Sequence, residues 1–344
     1  MKVAVIGGGG WGTALACVLS KKGHAVTLWV YESDLATRLS ATRENDVYLP
    51  GVLLPPSVAV TTSLRESVAG AEMILFVTPS HVLRATATRL AAEAGGAFAS
   101  APLVVVATKG IEKGTLARMS EVLAATLPAP AGRDAVVLAG PSHAEEVARQ
   151  IPTAIVAACR DRARAEAVQE ACSTEWFRIY TNDDVVGVEL GVSLKNVVAI
   201  AAGISDGLGF GDSTKAALLT RGLAEMARLG RALGARPETL AGLAGMGDLI
   251  ATATSRHSRN RRLGEAVGRG ATLAEALASS PMVAEGVGTC EAAVELARRN
   301  GIELPIAEQV HAILFEGKSA RVAMRELLTR DLKPEAESRV RRES

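Results

Sequence analysis

Aromatic side chains are scarce, with 3 Trp, 3 Tyr and 5 Phe forming only 3% of 344 residues. So thin a supply offers no stacking platform for single-stranded nucleic acid. An excess of either charge is also missing, since 38 basic and 37 acidic residues leave a net charge of +1. A polyanion or a membrane surface therefore meets no global attracting field. The four cysteines, Cys17, Cys159, Cys172 and Cys290, form neither a C-x-x-C pair nor a zinc spacing, so no metal site is expected. They read as reduced, buried thiols of a cytoplasmic protein. No uncharged apolar run approaches the roughly 18–20 residues of a membrane span; the longest covers residues 197–204. The N-terminal apolar run breaks into glycine at Gly7, too early for a signal-peptide core. Lysine is scarce too, nine against 29 arginines. What is abundant is apolar surface, 48% of the chain, which excludes disorder and supplies one large or two ordinary cores.

The first half alternates short apolar runs with helical stretches. Strands are predicted at 2–6, 25–29, 58–61, 73–77, 103–107, 135–139, 153–157 and 177–180. They are continuous Val- and Ile-rich runs, as expected of strands buried on both faces of a parallel sheet. Helical segments at 11–22, 82–94, 116–125 and 162–171 separate them. The expected fold class is α/β, a doubly wound parallel sheet. Near Asn182 the pattern changes. Asn182, Asp183 and Asp184 can start a helix running to about Ser205. Further helices are predicted at 213–233, 263–268, 273–278, 290–299, 306–315 and 319–328, with no strand after Tyr180. The expected domains are an α/β unit at 1–182, an all-α unit at 183–332 and a charged tail at 333–344.

Gly7, Gly9 and Gly12 form G-x-G-x-x-G directly after the first strand and at the opening of a helix. In that context the motif is a Rossmann-like dinucleotide fingerprint. Gly7 makes the tight turn, Gly9 admits a pyrophosphate and Gly12 lets helix pack on strand. Free N–H groups at the helix start hold the phosphates. Glu32 follows the second strand at the distance where an acid accepts from the ribose 2′-hydroxyl. A carboxylate there repels a 2′-phosphate and favours NAD over NADP, unless Arg38 or Arg43 swings in.

Two lysines sit in apolar company. Lys109 follows the strand at 103–107, at the carboxyl end where α/β sheets bind ligands; it also suits a solvated turn. Lys195 lies within the long helix, with Gly191, Val188, Ala199 and Ala202 on its stripe. Buried there, it would lose its proton readily and serve as a general base; at the surface it would snorkel. Downstream, Asp248, Thr252 and Ser255 fall at i, i+4 and i+7, on one helical face. Ser258 can cap a helix whose first turn holds Arg259 and Asn260, a phosphate-binding arrangement. The basic residues at 256–262 also fit a solvated helix face. Gly140-Pro141-Ser142-His143-Ala144 follows another strand and can approach a ligand. His143 and His81 read as structural histidines rather than catalysts, and neither belongs to a hydrolytic triad.

Taken in order, these pieces resemble the NAD(P)-dependent glycerol-3-phosphate dehydrogenase family of prokaryotic type. The likeness rests on Gly7-x-Gly9-x-Trp11-Gly12-Thr13, Asn45-x-x-Tyr48-Leu49-Pro50-Gly51, Thr108-Lys109-Gly110-Ile111-Glu112 and Gly140-Pro141-Ser142-His143-Ala144-x-Glu146. It continues through Leu194-Lys195-Asn196, Gly245-x-Gly247-Asp248-Leu249, Ser258-Arg259-Asn260 and Val283-x-Glu285-Gly286. The resemblance implies reversible hydride transfer between sn-glycerol 3-phosphate and dihydroxyacetone phosphate, serving glycerophospholipid synthesis. It implies Lys195 as proton acceptor beside Asp248, with Lys109 touching substrate and cofactor. Gly140, Ser142, Ser258, Arg259 and Asn260 would bind substrate. Gly10, Trp11, Ala144, Arg259, Val283 and Glu285 would contact NAD or NADP; Tyr31 and Glu32, following the second strand, are expected beside the cofactor by position. Two departures stand out: Tyr31-Glu32 where relatives often carry His-Arg, and Gly288 where arginine is common. The expected partner is a phosphorylated small molecule, without nucleic acid or an integral membrane segment, and a homodimer is the default assembly. A 3-hydroxyacid dehydrogenase or a non-catalytic dinucleotide sensor are the competing readings.

Overall fold

The computed structural model describes residues 1–278, 283–332, 334 and 335. Most of the tail assigned to 333–344 lies outside the described residues. Among the described residues ten strands form: β1 (Lys2–Ile6), β2 (Ala25–Trp29), β3 (Glu44–Asn45), β4 (Leu49–Leu53), β5 (Ala59–Thr61), β6 (Met73–Phe76), β7 (Leu103–Val106), β8 (Val136–Ala139), β9 (Thr153–Ala158) and β10 (Phe177–Asn182). Eight of them make one sheet in the order β10-β9-β8-β7-β6-β1-β2-β5. The chain order reverses between β1 and β6, and the carboxyl ends there open the ligand crevice of a doubly wound sheet.

The sheet departs from the all-parallel expectation at one join. β9 runs antiparallel to β8, and β10 then runs parallel to β9. The β8–β9 connection holds only the short helix Ala144–Ala148, in place of the longer crossover helix usual between parallel neighbours. A second departure is the antiparallel hairpin of β3 and β4, which stands outside the main sheet.

The helices of this half are α1 (Gly10–Lys21), α2 (Ser33–Thr42), α3 (Leu64–Ser67), α4 (Ser80–Ala94), α5 (Met119–Thr126), α6 (Ala144–Ala148) and α7 (Arg162–Cys172). Leu15, Leu19, Leu35, Leu39 and Val168 cover one sheet face. Leu64, Leu83, Leu90, Val122 and Leu123 cover the other, joined by Val188, Val192 and Ala244 from beyond the last strand.

The remaining helices are α8 (Val185–Gly207), α9 (Asp212–Ala232), α10 (Pro237–Ala241), α11 (Asp248–Thr254), α12 (Arg259–Gly268), α13 (Leu273–Ala278), α14 (Glu285–Asn300), α15 (Pro305–Phe315) and α16 (Ala320–Leu328). Among the described residues no strand follows Asn182. The carboxylate of Asp184 caps α8 by accepting from the Gly187 N–H at 2.8 Å. α8 is long and apolar enough to cross a membrane, yet every residue from 187 to 205 is buried within the protein. It is a core helix, and glycine lets its neighbour come close. A Cβ on Gly203 would stand 2.0 Å from the Arg261 carbonyl oxygen, and one on Gly264 would stand 2.1 Å from that of Ile200. Backbone-to-backbone contact of α8 with α12 follows, reinforced by the Arg261–Asp206 ion pair at 2.6 Å.

Candidate active site

A cavity of about 710 Å³ runs from the glycine turn after β1 to the start of α12. Its first end is the glycine turn itself. Gly7 has a φ of +128°, and a Cβ there would meet the Val77 carbonyl at 2.9 Å, so glycine is required at this turn. Gly9 faces open space, and as N-cap of α1 it offers no side-chain bond to the first-turn N–H groups. Those donors, with no acidic side chain in the turn, suit an anion. The Thr78 hydroxyl oxygen, on a residue of the cavity wall, has no hydrogen-bond partner among the described residues. A dinucleotide pyrophosphate fits the residues present.

Lysine chemistry occupies the other end. Lys195 is 5% exposed, so the snorkelling reading is excluded. Its ammonium donates to Asp248 Oδ1 at 3.0 Å and to the Thr252 hydroxyl. Lys109 donates to Asp248 Oδ2 at 3.0 Å and to the Gly140 carbonyl at 2.9 Å. One buried carboxylate thus bridges two ammonium groups from different halves of the chain. Burial pulls Lys195 down to about 8, against the opposing pull of Asp248. Burial would raise Asp248, but the charges of Lys109 and Lys195 overcome it and hold the carboxyl below its ordinary value. The bridge is placed by backbone: a π-helical turn, Leu243–Gly247, delivers Asp248 as the first residue of α11. Wide turns of this kind often mark functional sites.

The expected helix start forms at residue 259. Ser258 caps α12, accepting from the Arg261 N–H at 3.2 Å, with Arg259 and Asn260 in the first turn. The shared-face prediction needs correction at Ser255. α11 ends at Thr254, because Ser255 adopts an extended conformation and its hydroxyl accepts from the His257 N–H.

The N-terminal family model of NAD-dependent glycerol-3-phosphate dehydrogenase matches residues 2–165, and its C-terminal counterpart matches 184–325. The chain belongs to this family. A glycerol-3-phosphate dehydrogenase (NAD(P)+) of Geobacter sulfurreducens is 53% identical over 334 residues, covering 97% of this chain and 98% of that protein. Its counterpart in Pelotomaculum thermopropionicum is 52% identical over 329 residues, 96% and 93% of the two chains. The crystal structure of the Coxiella burnetii glycerol-3-phosphate dehydrogenase superposes with a TM-score of 0.90 at 41% identity, covering 96% of this chain and 99% of that one.

Most residues implied by the family resemblance meet in this cavity. Gly7, Gly9, Gly10, Trp11, Tyr31, Glu32, Lys109, Ser142, Ala144, Lys195, Asp248, Ser258, Arg259, Asn260, Val283 and Glu285 all line it. Gly12 and Gly140 do not. A Cβ on Gly12 would stand 1.9 Å from the Gly7 carbonyl oxygen, so Gly12 serves packing, as its motif position predicts. Gly140 contributes its carbonyl to Lys109. Several lining groups are already engaged. The Glu285 carboxylate accepts from the Ser80 N–H and hydroxyl, joining α14 to α4. Asn260 donates to the Asn196 side chain at 2.9 Å and accepts from the Gly286 N–H at 3.0 Å. The Ser142 hydroxyl donates to the Gly140 carbonyl. His81 and His143 both line the cavity; burial lowers His143, which lies 3.4 Å from the Ala251 carbonyl. Thr252, Thr78, Ser80 and His257 were not among the predicted site residues. Thr252 alone carried a sequence signal, its spacing from Asp248. Among the described residues no cluster could hold a metal ion.

Proposed function

We propose that this chain interconverts sn-glycerol 3-phosphate and dihydroxyacetone phosphate with NAD(P)(H). The observation that carries the reading is the Lys109–Asp248–Lys195 bridge set between a dinucleotide cradle and a capped helix start bearing Arg259. The nicotinamide supplies the hydride acceptor or donor. In oxidation the free amine of Lys195 takes the proton of the C2 hydroxyl; in reduction its ammonium returns one to the carbonyl oxygen. A base near 8 can serve in both directions close to neutrality. Asp248 compensates the charge that appears on Lys195 and fixes its direction. Lys109 adds positive charge beside the substrate oxygens. Arg259 and the N–H groups opening α12 receive the phosphate. At the cofactor end, Glu32 accepts from the adenosine ribose.

The proposed role is supply of the glycerol phosphate unit to glycerophospholipids, by a homodimer in the cytoplasm. Four free, buried thiols suit a reducing compartment. The test is loss of NADH absorbance on adding dihydroxyacetone phosphate. Absence of turnover with either NADH or NADPH would sink the reading. Light scattering of the purified protein decides the dimer.

A further inference from the structure

The β3–β4 hairpin stands apart from the main sheet, yet it is fastened to the cofactor cradle. Buried Asn45 donates to the Gly8 carbonyl and to the Thr13 hydroxyl, each at 2.8 Å. Its side-chain oxygen accepts from the Tyr48 N–H at 3.0 Å. A Cβ on Gly10 would stand 2.6 Å from the Tyr48 carbonyl oxygen, so the hairpin tip lies directly on the glycine turn. From that fixed backbone the Tyr48 phenol reaches across the cavity wall and donates to Glu32 Oε1 at 2.8 Å. Burial, then the hydrogen bond to Glu32, raises the phenol above its ordinary value. It keeps its proton at neutral pH and stays a donor.

The nearby cations are committed elsewhere. Arg38 pairs with Asp34 at 3.0 Å and with Asp46 at 3.2 Å. Arg43 donates to the carbonyls of Leu54, Pro55 and Val58. Arg89, on the cavity wall, is paired with Glu93. The acid at the end of β2 therefore meets a phenol rather than a guanidinium.

We propose that Tyr48 is a positioning residue for cofactor choice. Its phenol holds the Glu32 carboxylate where a ribose 2′-hydroxyl can donate to it and where a 2′-phosphate meets a fixed negative charge. The chain then prefers NAD to NADP because of a pair of residues rather than the acid alone. This rests on the reading of Glu32 as the ribose acceptor.

The experiment is kcat/KM for NAD and for NADP, with glycerol 3-phosphate saturating, in the unaltered protein, Glu32→Gln, Tyr48→Phe and the double variant. The unaltered protein should favour NAD. Glu32→Gln should cut the NAD/NADP ratio by about tenfold or more, the scale of a hydrogen bond to a charged group. Tyr48→Phe should cut it by about fivefold, mainly through KM for NAD. The double variant should match Glu32→Gln, because Tyr48 acts through the carboxylate. Glu32→Asp, which keeps the charge but withdraws it from the phenol, should lower the ratio as Tyr48→Phe does. An unchanged ratio in Glu32→Gln overturns the Glu32 reading and the proposal with it. A lowered ratio in Glu32→Gln with none in Tyr48→Phe and Glu32→Asp overturns Tyr48 alone. A further loss on adding Tyr48→Phe to Glu32→Gln overturns positioning and makes Tyr48 a direct cofactor contact.

Discussion

Replacing Asp248 by asparagine keeps the side-chain shape and removes the charge shared by Lys109 and Lys195. The carboxylate is 2% exposed and each ammonium lies 3.0 Å from one of its oxygens. Opposite unit charges about 4 Å apart attract by about 4 kcal/mol at an effective dielectric constant near 20. At about 1.4 kcal/mol per pH unit, losing that attraction lowers the Lys195 ammonium by up to about three units. Lys195 begins at about 8. The assay is kcat/KM for glycerol 3-phosphate oxidation as a function of pH, which reports ionisations of the free enzyme and free substrate. The unaltered protein should lose activity below a limb at about 8, where Lys195 takes on its proton. In Asp248→Asn that limb should move down by up to about three units, beneath the one near pH 6 from the substrate phosphate. Its plateau should also fall by about 10²-fold or more, because the amine is a weaker base and the ammonium that forms lacks its counter-charge. A limb that stays near 8 in Asp248→Asn would refute Lys195 as the titrating base held by Asp248.

Lys195→Met should abolish turnover while NADH still binds, read by quenching of protein fluorescence; turnover within tenfold of normal would contradict the base assignment. Glu285→Ala should leave the Ser80 N–H and hydroxyl without their acceptor and lower stability by about 1–3 kcal/mol in urea unfolding. Gly264→Ala should cost about 3 kcal/mol, since its methyl would press on the Ile200 carbonyl; a melting temperature within a degree of normal would contradict the close contact. Glu225 accepts from the Ile306 and Ala307 N–H groups. Burial pushes it up from 4.5 to about 7. The folded state therefore holds a proton that the unfolded state has lost between those values, so stability is full below 4.5 and declines as pH rises to about 7. Glu225→Gln should flatten that decline, by at most about 3 kcal/mol between pH 5 and pH 8 in urea midpoints; parallel slopes would exclude the assignment.

The eight predicted strand runs all became strands of the main sheet, and in β1, β6, β7, β8 and β9 continuous apolar character records burial on both faces, while the edge strand β10 alternates buried and exposed. The same character carries no sign of direction, so the reversal at β9 was hidden. The β3–β4 hairpin was hidden for another reason. Its short strands are fixed by tertiary bonds from Asn45 and the Tyr48 backbone rather than by a local pattern. In the site, Lys195 and Asp248 were legible because a lysine among small apolar residues has few structural explanations. The Ser80–Glu285 contact was not, since a bond between helix starts 205 positions apart leaves no periodic trace.

The long helix α8 has one more consequence. It buries Val188 and Val192 against the sheet, receives the Gly110 N–H on the Ser193 hydroxyl at 3.1 Å, and carries Lys195 just beyond. The amine proposed to react is therefore bolted to the same frame as the glycine turn after β1. A cut after residue 182 would not release a free-standing nucleotide binder; it would strip a sheet of part of its lining. The later helices reach that frame elsewhere too, at the Ser80–Glu285, Lys109–Asp248 and Lys113–Glu291 contacts.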